Sequence, residues 1–129
     1  MNSKFTRIMI VDDESAITET FVEYFQARGF TARGFTSAQA ALLAIDDFRP
    51  DLVLLDIMMP DMNGYEFCSR LKTRHGTRHI PVVFVSAKQR SEDEMQAARV
   101  GGEVFVSKPV PLGELEGIAR LMIERSTVA

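Results

Sequence analysis

The sequence predicts a doubly wound α/β fold, in which helices cover both faces of a five-stranded parallel sheet. Short apolar runs of strand length alternate five times with longer segments whose apolar residues recur at helical spacing. Three of the short runs are apolar nearly throughout, which is typical of strands that are buried on both faces. Parallel neighbours need long crossover connections, and the intervening helices supply them.

Each strand is predicted from a run of four to six residues that is rich in β-branched and other apolar side chains. The five runs are 7–11, 31–35, 51–56, 81–86 and 103–107. Because the sheet is parallel, all five runs should point the same way and should end at the same edge.

The helices are predicted from apolar residues that return to one face at spacings of three or four. The stripes are Ile17, Phe21 and Phe25; Leu42, Ile45 and Phe48; Phe67 and Leu71; and Leu112, Leu115, Ile118 and Met122. The remaining helix, at 91–100, has little apolar content, but Ser91 and Glu94 form the pattern of a capping box at its start.

Length and composition indicate one domain. A chain of 129 residues can bury a core without metals or disulfides, and its 46% hydrophobic and 26% charged residues are close to the average for globular proteins. The domain is expected to span 1–129, with a core at about 5–123 and a frayed tail or the start of a linker at 125–129. No apolar run approaches the ~18 residues of a membrane span, so no membrane contact is expected.

Charge and cysteine content bear on partners and location. A net charge of -3 gives no basic field, which predicts that this chain does not bind nucleic acid directly. The single cysteine, Cys68, cannot form an internal disulfide, and the N-terminus lacks the pattern of a secretory signal. The chain is therefore expected in the cytoplasm.

Polar side chains stand where the predicted strands end. They are Asp12 and Asp13 after the first strand, Asp56 after the third, Ser86 after the fourth and Lys108 after the fifth. With the strand order 2-1-3-4-5, the three aspartates meet where the winding direction reverses, which is where ligands bind in such sheets. Clustered carboxylates raise one another's pKa, and a bound cation relieves the repulsion. Oxygen ligands without nearby His or Cys favour a hard ion, Mg²⁺ or Mn²⁺.

This set of groups predicts an acceptor of phosphoryl groups. An aspartate can attack phosphorus to give an aspartyl phosphate, and the transfer needs mainly positioning and charge neutralisation. Asp56 is the candidate nucleophile, with a divalent ion, Lys108 and Ser86 around it. Taken singly, the aspartates could instead be turn residues or a helix N-cap. Asp51, at the other end of the strand that carries Asp56, is expected to be a solvated bystander.

Four motifs in order resemble the receiver domain of two-component response regulators, of the chemotaxis-regulator type, over roughly residues 5 to 123. They are "VDDE" at 11–14, "LLDIMMPDMNG" at 54–64, "VSA" at 85–87 and "SKP" at 107–109. The resemblance implies a flavodoxin-like (βα)5 sandwich with the strand order 2-1-3-4-5.

The resemblance also implies a role for each matching residue. Asp56 would be phosphorylated, Asp13 would bind the metal directly, and Asp12 would act on it through water. The further implied roles are the backbone carbonyl of Met58 as a metal ligand, Ser86 and Lys108 as phosphate contacts, Phe105 as the switch aromatic, and Pro109 in a cis peptide bond.

The function that the resemblance implies is a signalling switch, which assists its own phosphotransfer and autodephosphorylation but is not otherwise an enzyme. A sensor histidine kinase or a phosphotransfer protein would phosphorylate Asp56, and the face of helix 4, strand 5 and helix 5 would then control an effector protein or domain. A homodimer through that face is a further expectation. The run "GGEV" at 101–104 departs from the family's usual Gly-Ala followed by two acidic or amide residues, and Val104 removes a polar group there.

Two alternatives belong to other classes of protein. A phosphatase of the haloacid dehalogenase type also uses Mg²⁺ and a nucleophilic aspartate, but it places a D-x-D after the first strand and needs a larger body to hold substrate. Here the first strand ends in adjacent Asp12 and Asp13. An interaction module that has lost phosphorylation is the other alternative, and the intact set of site residues argues against it.

Overall fold

The computed structural model describes residues 6–87 and 91–128 and contains five strands that alternate with five helices. The elements are β1 (Arg7–Val11), α1 (Ser15–Ala27), β2 (Thr31–Phe35), α2 (Ala38–Phe48), β3 (Leu52–Leu55), α3 (Gly64–Thr73), β4 (Val82–Ser86), α4 (Ser91–Arg99), β5 (Val104–Ser107) and α5 (Leu112–Val128). The strands form one parallel sheet in the order β2-β1-β3-β4-β5, which confirms the predicted topology.

The sheet has a separate core on each face, because successive side chains of a strand point to opposite sides. In β1, Ile8 and Ile10 belong to the core under α1 and α5, whereas Met9 and Val11 belong to the core under α2, α3 and α4. All four side chains are fully or almost fully buried. Full burial of an aliphatic side chain stabilises a fold by about 1.5–3 kcal/mol. Strand β1 is therefore held firmly in the core, and so is the start of the segment that follows it.

The structure extends one predicted element and leaves another partly described. Helix α5 continues to Val128, so residues 125–128 are helical where a frayed tail was expected, and the expectation that a linker starts there stays a prediction. Met122 and Ile123 are still buried against the sheet near the end of this helix, and the exposed residues 124–126 follow them. Helix α4 is present at Ser91–Arg99, but the side-chain contacts of its predicted capping box lie outside the described residues.

Gly102, in the run that departs from the family pattern, faces the ring of Phe84. A Cβ at Gly102 would lie 2.5 Å from Cε2 of Phe84 and 3.0 Å from the backbone oxygen of Ala97. The ring of Phe84 also packs against Tyr65, with centroids 5.6 Å apart. A large side chain on β4 thus occupies the space that a methyl group at position 102 would need.

We therefore expect Gly102→Ala to destabilise the fold by about 1–3 kcal/mol, the usual cost of overpacking. Chemical denaturation measures this, and Gly117→Ala is the matched control, because a Cβ at that exposed helix position meets nothing within 4 Å. The control should be stabilising by about 0.5–1 kcal/mol. The smaller side chain of Phe84→Leu should reduce the penalty of Gly102→Ala in the double variant, and purely additive effects would contradict the proposed steric conflict.

Candidate functional site

Three carboxylates gather at the edge where the strands end. Asp12 follows β1 and its N–H donates to the carbonyl of Phe35, 3.0 Å away; Asp56 follows β3 and its N–H donates to the carbonyl of Val11, 2.9 Å away. These bonds continue the sheet ladder by one residue and fix both backbones. Carboxylate oxygens of Asp12, Asp13 and Asp56 all lie within 4.8 Å of one another. The structure thus brings together the three residues that the sequence predicted to converge.

The three carboxylates differ in their exposure to solvent. Asp12 and Asp56 are 3% and 6% exposed, whereas Asp13 is exposed. Oδ1 of Asp12 accepts the N–H of Glu14 at 3.0 Å, and Oδ1 of Asp56 accepts the N–H of Ile57 at 2.8 Å. Each buried carboxylate therefore has one oxygen held by the backbone.

Lys108 supplies a positive charge to this group of carboxylates. Its Nζ lies 2.7 Å from Oδ2 of Asp12 and 3.7 Å from Oδ2 of Asp56. Its backbone N–H donates to the carbonyl of Ser86 at 2.8 Å, which ties the residue to the end of β4. The Lys108–Pro109 peptide bond is cis, as the resemblance implies. The ammonium group is closer to Asp12 than to Asp56.

The pKa of Asp56 is raised above its ordinary value. Burial is the largest cause and the charge of Asp12 adds to it, while Lys108, the N–H of Ile57 and a hydrogen bond from the Ser86 hydroxyl oppose it. Burial on its own would lower the pKa of Lys108, but the hydrogen bond and charge of Asp12, helped by Asp56, outweigh it, so that pKa is also raised. The positive charge of Lys108 and the two hydrogen bonds therefore do not fully offset the cost of ionising Asp56 in this buried position.

These residues fit a divalent cation. The donors are all oxygens, two of the three carboxylates are buried, and one ammonium group does not neutralise them fully. Mg²⁺ suits such an incomplete cage, because it keeps several of its waters and accepts phosphate oxygens. The structure thus contains the acidic cluster that the sequence predicted.

Two further predicted residues lie on the neighbouring strands. Ser86 is 1% exposed at the end of β4, next to Ser107 of β5 in the register of the sheet. Phe105 is half-buried on β5 and packs against the core under α2, α3 and α4. The Ser86 hydroxyl hydrogen-bonds the carboxylate of Asp56, and Phe105 lies two residues before Ser107 on β5, opposite Phe84.

The segment between β3 and α3 forms the outer wall of the site. Met58 is 61% exposed and, with Asp13 and Tyr65, lines a depression of ≈ 470 Å³ beside the carboxylates. Asp61 anchors this segment to the start of α2, because its carboxylate accepts the N–H of Gln39 at 2.9 Å and the hydroxyl of Ser37 at 3.0 Å. These bonds, that of Gln39 above all, lower the pKa of Asp61. The role predicted for the Met58 carbonyl stays a prediction.

Asp51 lies at the opposite edge of the sheet, as predicted. Its side chain is exposed and accepts the N–H of Arg7 at 2.8 Å. It lines a larger cavity of ≈ 640 Å³ that also contains Arg49 and none of the predicted site residues. The predicted site residues therefore lie away from this larger cavity.

A sequence model of the response regulator receiver domain matches residues 8–120. The chain belongs to this family. It is 32% identical over 126 residues to the DNA-binding response regulator MtrA of Mycobacterium tuberculosis, covering 98% of this chain and 54% of that protein. It is 33% identical over 119 residues to the phosphate regulon transcriptional regulatory protein PhoB of Pseudomonas aeruginosa, covering 92% and 52%. The receiver domain thus spans about half the length of these curated relatives.

A solved structure has the same fold. It is a CheY-like response regulator receiver domain protein from Methanospirillum hungatei, with a TM-score of 0.89, 23% identity and coverage of 95% of this chain and 97% of that one. Fold and family membership together make the chain a signalling receiver domain rather than an enzyme. The phosphatase alternative is therefore wrong.

The relatives do not support the expectation that this chain has no direct contact with nucleic acid. MtrA, with which the chain shares its 32% identity, is named as DNA-binding. The net charge of -3 describes this domain only. No helix in the described part of the receiver domain is long and apolar enough to cross a membrane.

Sequence reasoning missed several buried polar residues of the receiver domain, among them Thr18, whose hydroxyl contacts the backbone of Asp12. The predicted stripe on α1 was Ile17, Phe21 and Phe25, but the structure buries Thr18 and leaves Ile17 half-exposed. The available signal was weak, because a single Thr beside an apolar stripe is also compatible with an exposed position. Its role becomes visible only through its contact with Asp12.

Proposed function

We propose that Asp56 accepts a phosphoryl group in an Mg²⁺-dependent reaction, with a sensor histidine kinase or a phosphotransfer protein as the donor. The observation that carries this proposal is the convergence of three carboxylates within 4.8 Å, with Nζ of Lys108 3.7 Å from Asp56. The same site could use Mn²⁺, which prefers similar oxygen ligands. A location in the cytoplasm, where such donors work, is part of the same proposal.

The chemistry assigned to Asp56 is an in-line displacement. A carboxylate oxygen of Asp56 forms a bond to phosphorus while the P–N bond of the donor phosphohistidine breaks, and the imidazole leaves with the electron pair. Oδ1 is held by the N–H of Ile57, whereas Oδ2 lies on the side of Lys108, so we assign the attack to Oδ2. A bound divalent ion supplies positive charge that offsets the charge of the transferred group.

Asp12, Asp13 and the backbone carbonyl of Met58 are the further ligands that we assign to the ion. Asp13 is the exposed carboxylate, which suits direct binding from the solvent side, and Asp12 is already paired with Lys108. On this assignment Asp12 holds the ion through water. The positive charge of the ion would weaken the pairing of Lys108 with Asp12, and the negative phosphoryl group would attract the Lys108 ammonium group towards the phosphate.

The switch is assigned to Ser86 and Phe105. A phosphoryl group on Asp56 would compete for the hydroxyl of Ser86, which now bonds to the carboxylate of Asp56. Movement of Ser86 would open or close space beside β5, where Phe105 is half-buried. The face of α4, β5 and α5 would then differ between the two states and control an effector protein or domain.

The effector and the oligomeric state belong to the same proposal. A DNA-binding output, of the kind named for MtrA, is one form that the effector can take. In the predicted homodimer through α4, β5 and α5, a contact of Glu103 across the interface would compete with the bonds of its carboxylate to Lys72 at 2.8 Å and to the N–H of Val82 at 2.7 Å.

Incubation with a small phosphodonor such as acetyl phosphate tests the proposal. Intact-mass measurement should show addition of one phosphoryl group in the presence of Mg²⁺ and none with a chelator, and peptide mapping should place it at Asp56. Modification that proceeds equally with the chelator, or that maps to Asp51, would contradict the proposed function.

A further inference from the structure

Thr18 joins helix α1 to the backbone of the carboxylate cluster. Its side-chain hydroxyl donates to the backbone carbonyl of Asp12 at 2.8 Å, six residues back along the chain. The residue is 6% exposed, so this bond is shielded from water. The carbonyl of Asp12 belongs to the peptide unit that leads into Asp13. The bond therefore restrains the orientation of the peptide between the two predicted metal-binding aspartates.

Gly34 of β2 makes room for Thr18 at this position. A Cβ at Gly34 would lie 2.2 Å from Cγ2 of Thr18 and 3.0 Å from Cγ2 of Val22. The methyl group of Thr18 thus fills the space that the missing side chain leaves, while its hydroxyl faces the carbonyl of Asp12. The absence of a side chain on an edge strand is what lets α1 approach closely enough for this contact.

We propose that Thr18 is a positioning residue for divalent-cation binding, which it supports by fixing the Asp12–Asp13 peptide unit. The proposal rests on the function proposed above. The carboxylate of Asp13 is exposed, and the backbone that carries it is held from the protein side by this bond. The N–H of Glu14 holds Oδ1 of Asp12, so the carbonyl and the side chain of Asp12 are each restrained by a different residue of the chain that follows.

The alternative is that the hydroxyl only satisfies a buried carbonyl and leaves ion binding unaffected. Thr18→Val distinguishes the two, because valine keeps the shape of the side chain and removes the donor. We expect its affinity for Mg²⁺ to fall about tenfold, the lower end of the effects measured for residues that orient metal ligands. Thr18→Ser keeps the hydroxyl and should bind Mg²⁺ as the wild type does.

The matched control is Thr20→Val. The hydroxyl of Thr20 donates to the carbonyl of Ala16 at 2.8 Å in the same helix, but it is exposed and has no contact with the cluster in the described structure. Titration with Mg²⁺, followed through the backbone amide resonances, gives the affinity of each variant. Thermal unfolding without Mg²⁺ measures the purely structural effect of each change.

Gly34→Ala gives a second route that leaves the hydroxyl in place. The new methyl group should displace Thr18 and weaken Mg²⁺ binding, and adding Thr18→Ser, which removes Cγ2, should restore part of it. Gly34→Ala, with and without Thr18→Ser, therefore tests the proposal even if Thr18→Val does not fold.

Weaker Mg²⁺ binding in Thr18→Val, with normal binding in Thr18→Ser and Thr20→Val, would support the proposal. Wild-type affinity in Thr18→Val would overturn it, and so would an equal loss in Thr20→Val. Failure of the proposed function has a different signature, because the wild-type protein itself would then show no response to Mg²⁺.

Discussion

Asp56→Asn should abolish phosphorylation and, in the absence of Mg²⁺, stabilise the fold at neutral pH. The loss of phosphorylation follows because the amide is a poor nucleophile and carries no charge for a cation. The gain in stability follows because burial and the charge of Asp12 raise the pKa of Asp56 in the folded state. The ionised form of Asp56 therefore lowers the stability of the fold, which is retained because function needs the charge. The neutral amide removes this destabilisation.

The pH dependence of this gain has a definite sign. A carboxyl group whose pKa is raised by folding contributes stability below its unfolded pKa, close to 3.8 here, and loses that contribution as pH rises through the folded pKa. The stability difference between Asp56→Asn and the wild type should therefore be largest at neutral pH and should shrink as the pH falls through the folded pKa of Asp56. Thermal unfolding of both proteins across this range measures it.

Mg²⁺ should reverse the order of stability. At a hundred times its dissociation constant, a ligand that binds only the folded state stabilises it by about 2.7 kcal/mol. The wild type should gain this amount, and Asp56→Asn should gain much less because it lacks one of the three carboxylates. The matched control is Asp51→Asn, at the exposed end of the same strand, which should keep both the Mg²⁺ response and phosphorylation. A phosphorylated Asp56→Asn, or an Asp56→Asn variant that is less stable than the wild type at neutral pH in the absence of Mg²⁺, would refute the assignment.

The sequence predicted the sheet and its site for the same physical reason. When apolar runs alternate with amphipathic segments, a parallel sheet covered by helices buries the apolar residues of both. Parallel strands all end at the same edge of the sheet. Asp12 and Asp56 follow adjacent strands, and the backbone bonds to Phe35 and Val11 hold them there. Their convergence therefore needed only the strand order, not the details of packing.

The features that sequence reasoning missed depend on contacts between distant parts of the chain. Thr18 is buried because Gly34 leaves a space above β2 and the carbonyl of Asp12 needs a donor, and no local pattern encodes either condition. The pairing of Lys72 with Glu103 likewise joins residues that are far apart in sequence. Local periodicity identifies which face of a helix is apolar, whereas such pairings follow from how closely the elements approach.

Gly64 is another residue whose importance comes from a close approach. It is the first residue of α3, and its N–H donates to the carbonyl of Ile57 at 2.8 Å. A Cβ at this position would lie 2.2 Å from the backbone oxygen of Asp56 and 2.9 Å from Cα of Ile57. Both neighbours are backbone atoms, so no side-chain rotation can relieve the overlap.

Gly64→Ala should therefore destabilise the fold by about 3 kcal/mol, at the upper end of the usual cost of overpacking, and should also weaken Mg²⁺ binding. The second effect follows because the displaced segment carries Met58, whose carbonyl is a predicted ligand, and adjoins Asp56 itself. Chemical denaturation and Mg²⁺ titration measure the two effects, and Gly76→Ala is the matched control because a Cβ there meets nothing within 4 Å. The control should change stability by less than about 0.5 kcal/mol.

The two measurements separate a structural role of Gly64 from a role in the site. Destabilisation with unchanged Mg²⁺ affinity would mean that α3 moves away and leaves Asp56 and Met58 in place. Loss of both would mean that the start of α3 and the phosphoacceptor segment move as one unit, as the bond from Gly64 to Ile57 and the contact with Asp56 require. Wild-type behaviour in both measurements would contradict the close approach itself. The presence of Gly64 at the end of the "LLDIMMPDMNG" motif would then have a cause other than the lack of space beside Asp56.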